Sequence, residues 1–353
     1  MRFILFVGFG NSLAESEVKN RISGAELVFP LVYRFEKDSV DEAKKLVSQL
    51  GSSLKLAKEL VGVKVEPSSI ASNITHKNFS ITLLGGQPTK DQFLIQVKEK
   101  LERSRFIEAK DPFGLSPIII TKHKVDEFFI DTEKEIIYQT VWVHNFENWI
   151  KKDRRMPKIN PKAGMLPPKI ARSMINLLPI DDPEGKTLVD PFCGSGRILV
   201  EAAEMGYKVI GTDISNDQIA DTKENLNFLG VDGQVLLHDA THLSEVVSQA
   251  DAIVTEPFLG KPNLRPDQVR FVAPGLEKLY LGSLKDWQKV LKPGGYVVMV
   301  FPIFKGPKNE YRTSRVIDDK HLLGYNQLTR GLVYSRPDAD TKREIVVLQK
   351  TIK

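Results

Sequence analysis

Residues 188–203 decide the fold, and they read Leu188-Val189-Asp190-Pro191-Phe192-Cys193-Gly194-Ser195-Gly196-Arg197-Ile198-Leu199-Val200-Glu201-Ala202-Ala203. A hydrophobic strand runs into a turn with two glycines, and a helical pattern follows the turn. Gly194 and Gly196 lack a Cβ, so they allow the backbone to turn tightly and to approach a ligand closely. The same spacing also fits a plain strand-to-helix turn, so the surrounding residues must decide whether a ligand binds there.

The acid at the end of this strand indicates a positively charged ligand. Asp190 stands beside the turn, where it would repel phosphates and attract a cation or an amine. The third glycine of the dinucleotide-binding fingerprint is absent, because Leu199 stands in its place. Both features disfavour a dinucleotide-dependent oxidoreductase. S-adenosylmethionine carries a cationic centre, an amino group and a ribose, and it is the cofactor that this turn favours.

Two further acids stand at the ends of the next two predicted strands. Asp213 comes 17 residues after Gly196, where a carboxylate can accept from both ribose hydroxyls. Asp239 follows the third strand, where it could accept from the adenine amine. Each acid alone could be a helix cap or a surface carboxylate, but three at consecutive strand ends match one adenosyl ligand. The predicted cofactor-binding residues are Asp190, Phe192, Cys193, Gly194, Gly196, Asp213, Ile214, Asp239 and Ala240.

The fourth predicted strand is followed by Glu256, Pro257 and Phe258, which resemble the strand-end motif of methyltransferases that modify exocyclic amino groups. The resemblance implies that these three residues are catalytic. An amine on an aromatic ring is a poor nucleophile, because its lone pair is delocalised into the ring. A side-chain oxygen and a backbone carbonyl that accept its two N–H groups localise the lone pair, and an aromatic side chain can stack on the base. The alternative is that Glu256 and Pro257 simply end a strand.

This strand end resembles the motif of methyltransferases that modify exocyclic amino groups, in which an acid or amide is followed by Pro, Pro and an aromatic residue. Glu256 replaces the usual Asp or Asn, one proline is missing, and Phe258 replaces the commoner Tyr. Other segments resemble the THUMP-associated tRNA guanine-N2 methyltransferases of the guanine-10 type. They are residues 163–171, Lys292-Pro293-Gly294-Gly295, Tyr334-Ser335-Arg336-Pro337 and Arg343-Glu344.

The resemblance implies an α/β fold in which a Rossmann-like class I methyltransferase domain follows small ferredoxin-like and THUMP-like domains. It also implies that S-adenosylmethionine is the cofactor, that a tRNA guanosine is methylated on N2, and that the front domains hold the acceptor stem. Two alternatives stay open. One is an adenine-N6 methyltransferase acting on DNA or rRNA, and the other is a non-catalytic RNA-binding protein that retains the cofactor pocket.

The order of predicted elements indicates three domains. Residues 1–64 follow the strand–helix–strand–strand–helix–strand order of a ferredoxin-like domain. Residues 65–150 form a second α+β unit, with a strand predicted at Ser116–Lys122, and they occupy the place of the THUMP-like RNA-binding domain. Residues 173–353 alternate strands and helices regularly, which predicts a mostly parallel seven-stranded sheet.

Residues 151–172 form a basic, proline-rich segment that we interpret as an interdomain linker. The segment holds eight Lys and Arg side chains against Asp153 alone, so its net charge exceeds the +5 of the whole chain. The cations either keep a linker solvated or contact the phosphates of a nucleic acid. The predicted RNA-binding residues are Lys151, Lys152, Arg154, Arg155, Lys158, Lys162 and Lys169.

Composition limits the remaining functional classes. No apolar run approaches the roughly 18–20 residues that a membrane helix needs, and the apolar start at residues 3–7 lacks the features of a signal peptide. Cys193 is the only cysteine, which excludes an intramolecular disulfide and a cysteine-cluster metal site. We therefore expect a cytoplasmic monomer without a metal or a membrane partner.

Overall fold

A computed structural model describes residues 1–9, 12–84, 90–101, 104–159, 165–261, 264–306, 309–318, 324–335 and 341–352. The chain forms two compact units. The first contains Met1–Gly10 and Arg21–Asn148, and the second contains Asn11–Asn20 and Trp149–Lys353. Helix α1 (Ser12–Arg21) therefore belongs almost entirely to the second unit, although it follows the first strand of the first unit.

The first unit contains one eight-stranded sheet in the order β2-β3-β1-β4-β8-β7-β5-β6. Its strands are β1 (Arg2–Val7), β2 (Glu26–Phe29), β3 (Val32–Glu36), β4 (Ser53–Glu59), β5 (Asn78–Leu84), β6 (Arg105–Phe106), β7 (Val125–Asp131) and β8 (Ile136–Val143). Its helices are α2 (Val40–Ser48), α3 (Pro67–Asn73), α4 (Lys90–Glu99) and α5 (Pro117–His123).

The order β2-β3-β1-β4 is that of a ferredoxin-like sheet, as predicted for residues 1–64. The antiparallel pairing of β4 with β8 continues this sheet into residues 65–150. The boundary predicted at residue 64 therefore lies within one sheet rather than between two separate sheets. Buried aromatic side chains on both sides of that boundary share a core, since the rings of Phe6 and Phe129 lie 4.3 Å apart.

The strand predicted at Ser116–Lys122 is wrong, because these residues form helix α5. Ser116 caps the helix by accepting a hydrogen bond from the Ile119 N–H, and Pro117 occupies the first helical turn. A Ser-Pro pair is a strong helix start, and here it outweighs the β-branched residues that follow. The apolar side of α5 packs beside β7, a strand that the sequence analysis missed.

The second unit contains the predicted seven-stranded sheet, in the order β11-β10-β9-β12-β13-β16-β15. Neighbouring strands from β11 through β13 are parallel, whereas β16 runs antiparallel to both β13 and β15. The strands are β9 (Thr187–Asp190), β10 (Lys208–Asp213), β11 (Gln234–Leu237), β12 (Ala250–Thr255), β13 (Leu291–Lys305), β15 (Tyr325–Tyr334) and β16 (Thr341–Lys350), with the short β14 (Glu310–Arg312) pairing with β13. All seven predicted strands are confirmed.

Helices surround this sheet. They are α6 (Phe146–Arg154), which begins in the first unit, α7 (Pro168–Asn176), α8 (Arg197–Glu204), α9 (Asn216–Leu229) and α10 (Val269–Val290), with 3-10 helices at Ala240–Glu245 and Thr313–Ile317. The indole N–H of Trp287 on α10 donates to the Ala240 carbonyl at 2.9 Å and so fixes this helix against the 3-10 helix that follows β11. Among the described residues, no helix is both long and apolar enough to span a membrane.

Helices α6 and α7 occupy both ends of the segment predicted to be an extended linker. Helix α6 continues to Arg154, and α7 begins at Pro168. Proline is favoured in the first turn of a helix, so the paired Pro167 and Pro168 start a helix here rather than prolong extended chain. Residues 160–164 lie outside the described residues.

A buried carboxylate fixes helix α1 within the second unit. Glu17 accepts hydrogen bonds from the Ser173 hydroxyl at 2.9 Å and from the Asn176 amide at 2.7 Å, and all three residues are buried. The Asn20 amide donates to the Asn176 carbonyl at 2.6 Å. Buried polar groups are costly unless they are paired, so these contacts specify where α1 docks on α7.

Candidate active site

The glycine turn connects β9 to α8 and has the conformation that the sequence predicts. Gly194 and Gly196 have φ angles of 53° and 83°, in the left-handed region that favours glycine. Gly196 caps α8, and the Thr222 hydroxyl donates to the Gly194 carbonyl. A Cβ on Gly194 would approach no side-chain atom closer than 3.6 Å, so a ligand can approach this backbone.

Close packing of α8 against the sheet depends on a different glycine, Gly211 on β10. A Cβ at this position would lie 2.5 Å from Leu199 Cδ1 and 3.0 Å from Cys193 Cβ. Gly211 on the neighbouring strand therefore allows the close helix packing that the third glycine of the dinucleotide fingerprint allows in other proteins. Cys193 is buried between these elements, where its backbone N–H donates to the Thr212 carbonyl at 2.9 Å.

Asp190 ends β9 and is almost fully enclosed, with 2% of its surface exposed. Its Oδ1 accepts from the Thr255 hydroxyl at 2.6 Å and from the Phe192 N–H at 3.2 Å. Burial raises the pKa of Asp190 to about 7, although these hydrogen bonds lower it, and the charges of Asp213 and Glu256 raise it further. A cationic ligand would stabilise the ionised form of this carboxyl.

Asp213 ends β10 and connects that strand to the glycine turn. Its Oδ2 accepts from the Gly194 N–H at 3.1 Å, and its Oδ1 accepts from the Ser215 N–H at 3.0 Å. An ionised carboxylate has about four acceptor sites, so these two bonds leave capacity for a pair of hydroxyls. Ile214 beside it is 75% exposed, which leaves an apolar surface next to the carboxylate.

Asp239 has the capping role that the sequence left as an alternative. Its Oδ1 accepts from both the N–H and the hydroxyl of Thr241 at 2.8 Å, at the start of a 3-10 helix. Partial burial tends to raise the pKa of Asp239, but the two Thr241 donors outweigh it and hold the pKa below its ordinary value. Ala240 is buried, so contact of its side chain with a ligand is restricted. Adenine recognition by Asp239 stays a prediction.

A cavity of about 410 Å³ lies beside the glycine turn in the second unit. It brings together Asp190, Phe192, Cys193 and Gly194 from the predicted cofactor set with Glu256 from the predicted catalytic set. Gly196, Asp213, Ile214, Asp239 and Ala240 do not line it. Lys158, which the sequence predicts to bind RNA, also lines the cavity. No pattern in the sequence indicated the remaining lining residues, which are Pro157, Ile159, Met165, Leu166, Ser195, Arg197, Ile198, Gln218 and Asp221.

Glu256 follows β12 and lies at the edge of this cavity, where its carboxylate accepts a hydrogen bond from Arg343 Nε on β16. Pro257 is buried, whereas Phe258 is 58% exposed and can offer its ring to a ligand. The Tyr280 hydroxyl donates to the Phe258 carbonyl at 2.6 Å and fixes the backbone after the strand. In the sequence, Arg343 belongs to a segment that resembles the family, but no local pattern indicated its contact with Glu256.

The predicted RNA-binding cations have different environments. Lys152 is only 1% exposed and binds Glu201 at 2.7 Å and Glu204 at 2.9 Å, so its prediction as a phosphate contact is wrong. A buried ammonium is stable only when paired, and these acids on α8 pair it. Lys169 lies 5.6 Å from the Trp149 ring, and burial lowers its pKa to about 8.

The remaining cations are more accessible. Arg154 is 80% exposed, and Arg155 is also exposed. The Lys158 ammonium lies 3.4 Å from Glu224, and the Lys151 ammonium lies over the Phe228 ring. Lys162 lies outside the described residues. Among the described residues, no group of three or more His, Cys, Asp and Glu side chains is arranged to hold a metal ion.

Two family models match the chain. The model described as "RMKL-like, methyltransferase domain" matches residues 155–326, which include β9 through β13. The model described as "DNA methylase" matches residues 36–224, slightly more than half of the chain. This second match begins in the first unit and ends before β11, so it does not include Glu256.

Curated relatives share the sequence of this chain over part of its length. The chain is 37% identical over 140 residues to a tRNA (guanine(10)-N2)-dimethyltransferase from Methanothermobacter thermautotrophicus, which is 39% of each chain. It is 30% identical over 179 residues to a protein from Methanothermococcus thermolithotrophicus named "Probable tRNA (guanine(10)-N2)-dimethyltransferase", which covers 48% of this chain and 99% of the relative. The chain spans about two fifths of the length of the first of these relatives.

A solved structure shares the fold over the whole length. The crystal structure of TrmN from Thermus thermophilus matches 99% of this chain and 100% of its own, with a TM-score of 0.58 and 19% identity. At this identity the match establishes the fold alone.

Proposed function

We propose that this chain methylates the exocyclic N2 of a tRNA guanosine, since it belongs to the tRNA (guanine(10)-N2)-dimethyltransferases. The DNA methylase model also matches more than half of the chain. The observation that carries the proposal is a single cavity lined by both Asp190 and Glu256. One residue suits a cationic cofactor and the other suits an amine. Their common cavity supports a reaction between the two ligands.

The residues of the glycine turn would hold S-adenosylmethionine, which supplies an electrophilic methyl group when it is bound. The pKa of the buried Asp190 carboxyl is about 7, so a nearby positive charge would lower this pKa and favour the ionised form. The uncrowded backbone at Gly194 and the carboxylate of Asp213 suit a ribose. These features fit the cofactor that the sequence predicts.

Glu256, Pro257 and Phe258 would bind the target base. The Glu256 carboxylate and the Pro257 carbonyl would each accept an N–H from the amine, so that its lone pair is directed at the methyl group. The exposed Phe258 ring would stack on the base. The new C–N bond would form as the bond between the methyl carbon and the sulfonium sulfur breaks, and the Glu256 carboxylate would accept the proton that the methylated amine then loses.

Transfer RNA is the proposed substrate, and the exposed cations at the end of α6 and directly after it are the proposed phosphate contacts. Arg154 and Arg155 are accessible, whereas Lys152 is excluded by its burial. Binding through such contacts weakens steeply with salt, because counterions are released from the backbone. We further propose a cytoplasmic location, which suits a chain whose Cys193 is a buried free thiol.

A second candidate function is methylation of adenine N6, which the match to the DNA methylase model favours. The same acceptors could bind the amino group of adenine. The two candidates share the cofactor and the cavity, and they differ only in the base that is modified.

The decisive experiment is transfer of labelled methyl groups from S-adenosylmethionine to unmodified tRNA transcripts, followed by nucleoside digestion and mass spectrometry. Methylguanosine in which the label is on N2 supports the proposal. Label in methyladenosine, from tRNA or from a DNA duplex offered in parallel, supports the second candidate. Cofactor and RNA binding without transfer to any substrate would indicate a binding protein instead.

A further inference from the structure

We infer that Arg343 is a positioning residue for methyl transfer, because it holds the Glu256 carboxylate where the target amine must bind. The inference rests on the proposed function and adds to it a residue outside the strand-end motif. Arg343 lies on β16, two strands away from β12, and its Nε binds Glu256 across the intervening β13. The two residues are 87 positions apart in the sequence.

The ion pair restrains the orientation of Glu256. A glutamate side chain has three rotatable bonds, so an unrestrained carboxylate at this position would sample several orientations. Arg343 restrains it through a rigid, planar guanidinium. The arginine is itself fixed, since its backbone pairs with Pro302 on β13 and Tyr334 on β15 and the residue is buried. One end of the ion pair is therefore anchored on a strand that is paired on both sides.

The ion pair also places a positive charge directly against the Glu256 carboxylate. Asp190 lines the same cavity, so this guanidinium lies in a region that is otherwise rich in acids. An ionised carboxylate has about four acceptor sites, so a carboxylate can accept from a guanidinium and from an amine together.

The Glu256 carboxylate is also accessible to a ligand. Glu256 lines the cavity that also contains Asp190, so its carboxylate lies beside the place where the methyl donor is expected. The ion pair therefore acts on a group that would touch substrate, whereas Arg343 itself acts through Glu256. Loss of Arg343 should consequently reduce turnover without removing the cofactor site.

The test compares Arg343→Gln and Arg343→Lys with a matched control, Lys342→Gln. Lys342 is the adjacent residue on β16, and its ammonium pairs with Glu310 at 2.7 Å outside the cavity. Each variant is assayed for kcat and KM with tRNA between pH 6 and pH 9. Binding of S-adenosylmethionine is measured separately by calorimetry.

We expect Arg343→Gln to lower kcat about a hundredfold at pH 7, a loss that a misplacement of about 1 Å can cause. Affinity for S-adenosylmethionine and the KM for tRNA should change by less than about threefold. Arg343→Lys should recover part of the loss at pH 7, and Lys342→Gln should match the unaltered protein.

Other outcomes overturn the inference. Unchanged kcat in Arg343→Gln, with methylguanosine still formed, would remove Arg343 from the reaction and leave the proposed function intact. Equal loss of cofactor binding and turnover in both Arg343 variants would assign a structural role instead. Absence of methylguanosine from the unaltered protein would overturn the proposed function, and this inference with it.

Discussion

Thr255 donates a hydrogen bond to Asp190 at 2.6 Å, and this bond joins the ends of two neighbouring strands at the cavity. Thr255 is fully buried and directly precedes Glu256. The acid that suits the cofactor and the acid that suits the amine are therefore connected through one hydroxyl and one peptide unit. Substitution of Thr255 should therefore affect both cofactor binding and methyl transfer.

Thr255→Val removes this hydroxyl while nearly preserving the shape of the side chain. We expect a loss of about 1–3 kcal/mol in the free energy of unfolding, because a buried acceptor loses its donor. The pKa of Asp190 should rise further, so cofactor affinity at pH 7 should fall. Denaturant unfolding and calorimetry between pH 6 and pH 9 measure the two effects.

The control for that variant is Thr313→Val. Its buried hydroxyl donates to the Pro302 carbonyl at 3.0 Å, away from the cavity. It should lose similar stability and leave the pH dependence of cofactor binding unchanged. Identical binding curves for the two variants would show that Thr255 does not act on Asp190.

Asp190 should make the free energy of unfolding fall as the pH rises. The folded pKa is about 7, whereas an unfolded aspartate titrates near 3.9, so the native state binds the extra proton between these values. Asp190→Asn keeps the acceptor oxygen and removes the titration. We expect this variant to be more stable above pH 7, by at most about 4 kcal/mol, and similar to the parent near pH 4. A constant difference across this range would contradict the assignment.

The same carboxyl should control cofactor affinity in the opposite direction. Binding of a cation requires the ionised form, so affinity for S-adenosylmethionine should rise toward pH 7 and then level off. Below pH 7 it should fall up to about tenfold per pH unit. Calorimetry with Asp190→Asn should give weak binding that does not vary with pH, whereas a retained pH dependence would implicate another group.

Substitution of Lys152 should reduce the stability of the protein, whereas substitution of Arg154 should weaken RNA binding. Lys152→Gln leaves the buried Glu201 without one of its cations and should cost about 3–5 kcal/mol of stability. Arg154→Gln should leave thermal unfolding unchanged, weaken tRNA binding and reduce its salt dependence by about one counterion. Filter binding at several salt concentrations tests this. An unaltered salt dependence would show that Arg154 does not contact a phosphate.

Gly211→Ala should destabilise the protein by about 1–3 kcal/mol, because the new methyl group would overlap Leu199 and Cys193. Gly275 on α10 provides the control, since a Cβ there meets no atom within 4 Å. Gly275→Ala should be neutral or stabilising by up to about 1 kcal/mol. Equal thermal shifts for the two variants would mean that α8 does not pack on Gly211 as described.

The sequence predicted those features that depend on neighbours along the chain. The seven strands of the second unit follow from hydrophobic runs and turns, and the acids at their ends follow from the same pattern. The contact of Glu256 with Arg343 could not be predicted, because it depends on the antiparallel placement of β16 beside β13. Lys152 was misassigned for a similar reason, since its partner Glu201 lies on a helix that is distant in sequence.

Residues 11–20 belong to the second unit, and this limits how the two units can be recombined with those of other proteins. The peptide chain crosses between the units three times, so no single cut separates them into intact halves. A gene fusion that exchanged everything before residue 149 would also replace Glu17, and Ser173 and Asn176 would lose the carboxylate they share. A recombinant protein that contains residues 149–353 therefore also needs a compatible helix α1.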